Sequence, residues 1–241
     1  ARGSLLIARR ELRGYFSSSS GWIILAVLLL LDGLAFNAFA MAGEKKSFDV
    51  LQNFFYWHSG ATMVASIFIS MRLFAEEKQI GTLVLLEASP AREAEVVLGK
   101  FLGAWGFLLL FLLLSIYMPI LVMVNGKVTA GHMFAGYLGL ALLGAACIAI
   151  GAFMSSLAPN QVAAAVLAGA VVVALVLAWL VAKNIEGVLG DVVGWLDFFD
   201  KHYRTFSRGT VKLSSVIYYS SVTYAFLLAT TAVLGARRWR S

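Results

Sequence analysis

The chain has 241 residues, of which 61% are hydrophobic and only 13% charged, where a soluble domain carries about 25% charged residues. An ordinary soluble domain is therefore excluded. The formal net charge of +6 does not point to nucleic acid either, because the basic residues gather at the ends of apolar runs rather than on one face or arm.

Apolar runs of roughly 18 or more residues mark candidate membrane spans. They fall at about 21–41, 54–74, 101–124, 133–157, 162–182 and 216–234. The predicted fold is an all-α membrane protein, a single transmembrane domain over 1–241 with six transmembrane helices. Placing both termini inside puts eleven of the 19 Lys and Arg on the inner side, crowded at span ends, which favours that orientation. Cys147 stands alone, so there is no disulfide framework.

Residues 1–20 read as an interfacial helix, with Leu5, Ala8, Leu12, Tyr15 and Phe16 at helical spacing and Arg9, Arg10 and Arg13 mostly opposite. Ser17 to Ser20 break that pattern and supply a cap for the first span. Ala38-Phe39-Ala40 has the form of a processing site, but the run before it is too long for a signal peptide, so an uncleaved span is expected. Asp32 sits near the middle of that span. A central carboxylate costs roughly 2.5–3.5 kcal/mol on insertion scales, so it should face the bundle or water, lining a pathway or locking helices together.

The second span opens with Phe54, Phe55, Tyr56 and Trp57, which fit an outer aromatic belt, and His58 is read as part of that belt. His132 and His202 are isolated, so no metal-ligand spacing exists. The densest charged stretch follows, from Arg72 through Glu76, Glu77 and Lys78 to Ser89-Pro90 and Lys100. Gly81-Thr82 could start a short helix carrying Leu83, Leu85 and Leu86. Ser89 as N-cap and Pro90 at the first helical position would start another. A helix–break–helix element parallel to the membrane, a docking surface for a soluble partner, is the expected result.

Gly136, Gly139, Gly144 and Gly151 in the fourth span, and Ala163 to Ala165 with Ala168 and Gly169 in the fifth, are a packing signal. The turn Ala158-Pro159-Asn160-Gln161 makes these spans an antiparallel hairpin. Between the fifth and sixth spans, Ile185, Val188, Leu189, Val192, Leu196 and Phe199 keep a helical stripe beside Trp195, predicting an outer amphipathic helix. Phe206-Ser207-Arg208-Gly209 follows.

With those residues read, the chain resembles the permease subunits of ABC transporters of the type-2 exporter class, nearest the branch associated with gliding motility and multicopper-enzyme maturation. The resemblance rests on Arg72-Leu-Phe-Ala-Glu-Glu-Lys-Gln-Ile-Gly-Thr-Leu83, Ser89-Pro90 with Val97 to Phe101, Leu142 to Ala145 with Ile150-Gly151, Ser155-Ser156 with Asn160-Gln161, and Phe206 to Gly209. Two departures stand out: Ser19 where the family has Pro, and Val84 where it commonly has Glu.

The resemblance implies a bacterial inner-membrane, multi-pass protein with both termini cytoplasmic. It implies two copies of an ABC ATP-binding subunit and a second permease copy or paralogue as partners, beside membrane lipids; the outer amphipathic stretch offers a surface for an extracytoplasmic auxiliary protein, and the placement of the basic residues speaks against nucleic acid. Residues 72–100 become the cytoplasmic coupling helix between spans 2 and 3, with Glu76, Glu77, Lys78, Gly81, Thr82, Leu83 and Leu86 as the ATPase contact. Trp195, Phe206 and Arg208, on the outer loop, are the expected contact for such an extracytoplasmic partner. No cofactor is expected on this chain, ATP and Mg belonging to the partner, because the P-loop pattern is absent.

Two other classes fit the residues less well. An intramembrane enzyme needs a nucleophile–base pair or metal ligands at depth, and Asp32 reads as the only mid-span ionisable residue, with no histidine at its level. A passive channel leaves the charged inner segment unexplained.

Overall fold

The computed structural model describes residues 2–40, 46–82, 92–126, 128–184, 187 and 194–238, and every regular element among them is helical. In chain order these are α1 (Arg2–Ser17), α2 (Ser19–Ala35, continued by a π-helical stretch Phe36–Ala40), α3 (Ser47–Ser70), α4 (Arg72–Ile80), α5 (Glu93–Ser115) and α6 (Tyr117–Asn125). They are followed by α7 (Ala130–Leu157), α8 (Gln161–Val176), α9 (Ala178–Asn184), α10 (Tyr203–Ser207) and α11 (Leu213–Arg238).

The segments Gly21–Ala38, Glu93–Val124, Ala130–Leu157 and Leu213–Ala236 are long and apolar enough to cross a membrane. The pair α8 and α9, bent by 42°, adds a fifth if counted as one span. The sequence predicts six. The difference is α3, which is long enough at 24 residues but carries His58, Ser59, Thr62, Ser66 and Ser70 along its buried side.

Helix α7 is the axis of the bundle, buried along most of its length. Its glycines are where neighbours press closest. A Cβ at Gly136 would overlap the Phe55 ring of α3, one at Gly144 would overlap Leu108 of α5, and one at Gly151 would overlap Ser70 of α3. The small residues singled out in the sequence therefore do set close approach, which gains dispersion contacts where burial from water supplies little. The α7–α8 hairpin is also as predicted, with Asn160 Oδ1 accepting from Ala163 N at 2.8 Å to start α8.

Helix α1 runs beside the first half of α5. Gly99 and Gly103 open a groove there: a Cβ at either would lie 2.6 Å from the Cβ of Ile7 or Glu11, respectively. The face that docks is Ile7, Glu11, Leu12 and Tyr15, while Leu5 stays exposed, because the groove and not the apolar stripe selects the contact.

Two expectations are corrected. Phe54 and Phe55 are fully buried core residues, and only Tyr56 and Trp57 of that aromatic run face outward. The third span starts earlier, at Glu93, and its ladder breaks at Ile116; Pro119 on α6 has no N–H to donate back to Ser115. Gly81 ends a helix, and the short helix expected after it lies outside the described residues. At φ 76° it closes α4, with Gly81 N donating to Lys78 O at 3.3 Å and Thr82 N to Glu77 O at 2.9 Å, a pairing that satisfies two terminal carbonyls. Leu83, Leu86, Ser89 and Pro90, and most of the expected outer amphipathic helix, lie outside the described residues.

Candidate functional site

The first polar centre is the junction where α4 meets the end of α7, the second half of α1 and the first turns of α5. Helix α4 begins at Met71 without a side-chain cap of its own. Its cap comes from α7: Ser155 Oγ accepts from Phe74 N at 3.0 Å and from Ala75 N at 2.9 Å, while donating to Met71 O at 2.9 Å. All three hydrogen-bonding positions of that hydroxyl are used.

The favour is returned. Lys78 Nζ donates to Ser156 O and, at 2.9 Å, to Ala158 O, placing a cation on the carbonyl end of α7 where the helix dipole favours it. The two helices cap each other across some 80 residues of sequence.

Charge ties the same helix to α1 and α5. Lys100 Nζ, on α5 and 3% exposed, lies 2.8 Å from Glu77 Oε1 of α4 and 2.8 Å from Glu11 Oε1 of α1. Two carboxylates and the Phe74 ring at 5.6 Å surround that buried ammonium. Glu76 pairs within α4 with Arg72 at 2.7 Å, and this hydrogen bond raises the Arg72 pKa above its ordinary value. Tyr15 donates to Ile69 O at 2.8 Å, with burial holding its hydroxyl protonated. A cleft of 220 Å³ opens among Glu11, Tyr15, Arg72, Glu76, Glu77 and Lys100.

Glu76, Glu77 and Lys78 are thus committed within the chain, and Gly81 and Thr82 form the exit from α4. The expected leucine contacts at Leu83 and Leu86 fall outside the described residues.

At the far end of the bundle, Trp195 is exposed, with Lys201 Nζ 4.8 Å from its ring centre. Arg208 is exposed as well. Phe206, expected beside them as an outer contact, is instead fully buried against Gly139 of α7, where a Cβ would lie 2.5 Å from the Phe206 Cβ. It anchors the segment rather than presenting it. Asp197 caps the turn there through Phe199 N at 3.0 Å, Asp200 N at 3.2 Å and Lys201 N at 3.1 Å. Tyr203 donates to Phe55 O at 2.9 Å.

The second polar centre is inside the bundle. Asp32 of α2, 3% exposed, places Oδ2 2.6 Å from Nδ1 of His58 on α3, which is fully buried. The distance is that of an ion pair, although the ring N–H is not well aligned on the carboxylate. On the other side of the ring, His58 Nε2 lies 3.2 Å from Ser115 Oγ, which is 3.1 Å from the Tyr137 hydroxyl of α7.

The expectation that no histidine shares the level of Asp32 is therefore corrected, and so is the assignment of His58 to an aromatic belt. The overlooked signal was spacing. His58, Thr62, Ser66 and Ser70 recur every four residues, each hydroxyl donating to the carbonyl four residues earlier at 2.6–2.8 Å, and such a polar stripe marks the inward face of a span.

Asp, His and Ser in a row resemble a hydrolytic triad, but the surroundings deny that chemistry. Ser115 is fully buried and donates its proton to Leu112 O at 2.8 Å, so its oxygen is neither activated by His58 nor open to an acyl carbon.

Residues 41–199 match the model of a family described as ABC-2 family transporter protein. A comparison with curated proteins gives no match.

Proposed function

The chain belongs to the ABC-2 transporter family and is a membrane component of an ABC transporter, and on that premise we propose that it couples ATP hydrolysis in a separate subunit to substrate export or to movement of an extracytoplasmic partner. Members of this family typically lack ATPase activity of their own. The partners are two ATP-binding subunits, which hold ATP and Mg, and a second permease copy or paralogue. The finer placement, in the branch associated with gliding motility and multicopper-enzyme maturation, rests on the motif segments from Arg72 to Gly209. In this reading the protein lies in a bacterial inner membrane with both termini and α4 cytoplasmic.

Six spans fit this reading once α3 is included. From His58 to Ser70 its polar groups are turned inward or bonded to its own backbone, while Val64, Phe68, Tyr56 and Trp57 face out. A helix can be too polar on average to score as a span and still offer lipid an apolar face.

The observation that carries the proposal is the reciprocal cap between α4 and α7. A force applied to the segment after Gly81 would reach α4, and through Ser155, Lys78 and Lys100 it would pass into α7, α5 and α1 without a flexible link. The docking contact itself is assigned to Leu83 and Leu86, because a fully buried apolar side chain contributes roughly 1.5–3 kcal/mol while exposed ion pairs contribute about 0–1 kcal/mol. Trp195 and Arg208 remain the candidate contacts for an outer partner.

Co-purification with the ATPase subunit tests both halves. Leu83→Asp with Leu86→Asp should release the ATPase while the permease remains inserted. Lys78→Met should retain the ATPase but weaken the permease's effect on its hydrolysis rate. Retention of the ATPase at parental levels by the double-Asp variant would remove this stretch as the docking surface.

A further inference from the structure

The hydrogen-bond arithmetic around His58 goes beyond transport coupling. Ser115 has one proton to give, and it goes to Leu112 O, an atom that can only accept. Ser115 Oγ must then accept from both of its other neighbours, so the Tyr137 hydroxyl and His58 Nε2 each bring a proton. On the opposite edge of the ring, Nδ1 and Asp32 Oδ2 are 2.6 Å apart. Two bare lone pairs would repel at that separation, so the contact needs a proton on Nδ1 or on the carboxyl, although the ring N–H is not well aligned on Oδ2. The Asp32–His58 pair therefore holds two protons and is neutral as a whole.

The walls of the site select how that proton pair is arranged. The imidazole lies between two phenyl rings: Phe54 at 5.0 Å and 17° on one face, Phe111 at 5.3 Å and 18° on the other. Two stacked aromatic faces present negative potential to the ring between them, which favours a cation over a neutral ring. With the Asp32 carboxylate in contact, imidazolium and carboxylate is the arrangement that both walls and partner stabilise.

The other groups facing the site do not supply a substitute charge. From α7 comes Tyr137, through Ser115. From α6, the Tyr117 hydroxyl lies 3.8 Å from where a Cβ on Gly33 would be. From α10, Tyr203 spends its hydroxyl on Phe55 O.

What the pair holds is α2. That helix buries Leu25, Leu28 and Asp32 and leaves Trp22, Ile23, Val27, Leu30, Leu31 and Leu34 exposed. Asp32 is its charged link to the bundle among the described residues. Directly after it, the helix changes to π-helical winding over Phe36–Ala40, an irregularity that can absorb a change in direction.

We propose that Asp32 and His58 form a proton-binding site whose second proton latches α2 to the bundle, and that its loss to bulk solvent frees α2 to move. Once that proton leaves, the pair carries a net negative charge between aromatic walls. If it leaves Nε2, Ser115 must turn its proton from Leu112 O to the bare nitrogen, and that carbonyl loses its side-chain partner.

The test uses the full chain in lipid nanodiscs. Nitrogen-15 NMR of histidine-labelled protein, with His58 assigned by its disappearance in His58→Gln, should show both ring nitrogens protonated at neutral pH. A neutral ring with Nδ1–H alone would overturn the proton count.

Hydrogen–deuterium exchange over residues 21–38 then tests the latch. One proton released per opening makes the opening constant, corrected for intrinsic exchange, rise about tenfold per pH unit wherever the latched site is protonated and the freed groups are not. Asp32→Asn, or Asp32→Leu with His58→Phe if that variant folds poorly, should give a flat profile. A flat profile in the parent, or an equal slope in both variants, would refute the latch.

Discussion

The junction around α4 and the Asp32–His58 pair both bring charge against helices, yet they hold it under opposite conditions. At the junction most charges are partly exposed, and the cations have several partners: Lys78 on the last carbonyls of α7, the buried Lys100 between Glu77 and Glu11. Water and neighbouring groups can take over when one member is lost. Inside the bundle, one carboxylate meets one imidazole between two phenyl rings, and nothing replaces either. Redundancy makes the junction tolerant as a mechanical link, and isolation makes the dyad sensitive as a switch.

The sharpest way to break this comparison is to remove one member of the dyad. Asp32→Ala should destabilise the protein by about 3–5 kcal/mol, because a buried partner is left unpaired. Asp32→Leu with His58→Phe should recover most of that loss, since apolar replacement of a whole buried pair is often neutral. Denaturant unfolding in detergent as a double-mutant cycle reads both, and equal losses in single and double variants would erase the distinction.

Packing at the junction gives the next largest effect. Gly103→Val should push α1 away from α5 at an overpacking cost of about 1–3 kcal/mol. Faster trypsin cleavage at Arg9 and Arg10, with the rest of the bundle still protected, is the expected readout.

Ser155→Ala removes the cap that α7 lends to α4, for about 1–2 kcal/mol, and should raise amide exchange at Phe74 and Ala75 specifically.

At the far end, a third histidine gives a local loss. His202 is stacked on Tyr218 at 3.9 Å; its Nε2–H donates to Trp195 O and its Nδ1 accepts from Ser215. Burial lowers its pKa below the ordinary value near 6.5. The unfolded chain therefore binds a proton more readily than the folded one. Stability from this group is fully present above the ordinary value and is lost as pH falls through the lowered one. Exchange over residues 195–207 should rise on acidification, and His202→Gln should flatten that response.

The smallest effect belongs to the pair on the surface of α4. Glu76→Gln should change stability by about 0–1 kcal/mol, and less at high salt. A loss as large as that of Asp32→Ala would mean that the junction charges are not redundant.

The two centres also differed in how far they could be read beforehand. The junction is written in one stretch, because Arg72 to Lys100 cluster their charges locally and a dense charged segment between apolar runs is visible without knowing the fold. The dyad is written in four places, at positions 32, 58, 115 and 137, and each residue looks ordinary alone. His58 among Phe54, Phe55, Tyr56 and Trp57 resembles an interfacial residue until the four-residue spacing to Thr62, Ser66 and Ser70 is noticed.

By itself the sequence determined that this chain is a helical membrane protein, that small residues on α7 set close packing, and that its inner charged segment is special. Apolar run length, residue size and charge density are local properties, and they act without reference to what lies across the bundle. Only the tertiary structure decided which face of α1 docks on α5, that Ser155 caps a helix about 80 residues away, that Phe206 is an anchor, and that Asp32 has a histidine. Those outcomes depend on which side chains meet between helices, and a buried charge takes its partner from whichever helix the packing brings within reach.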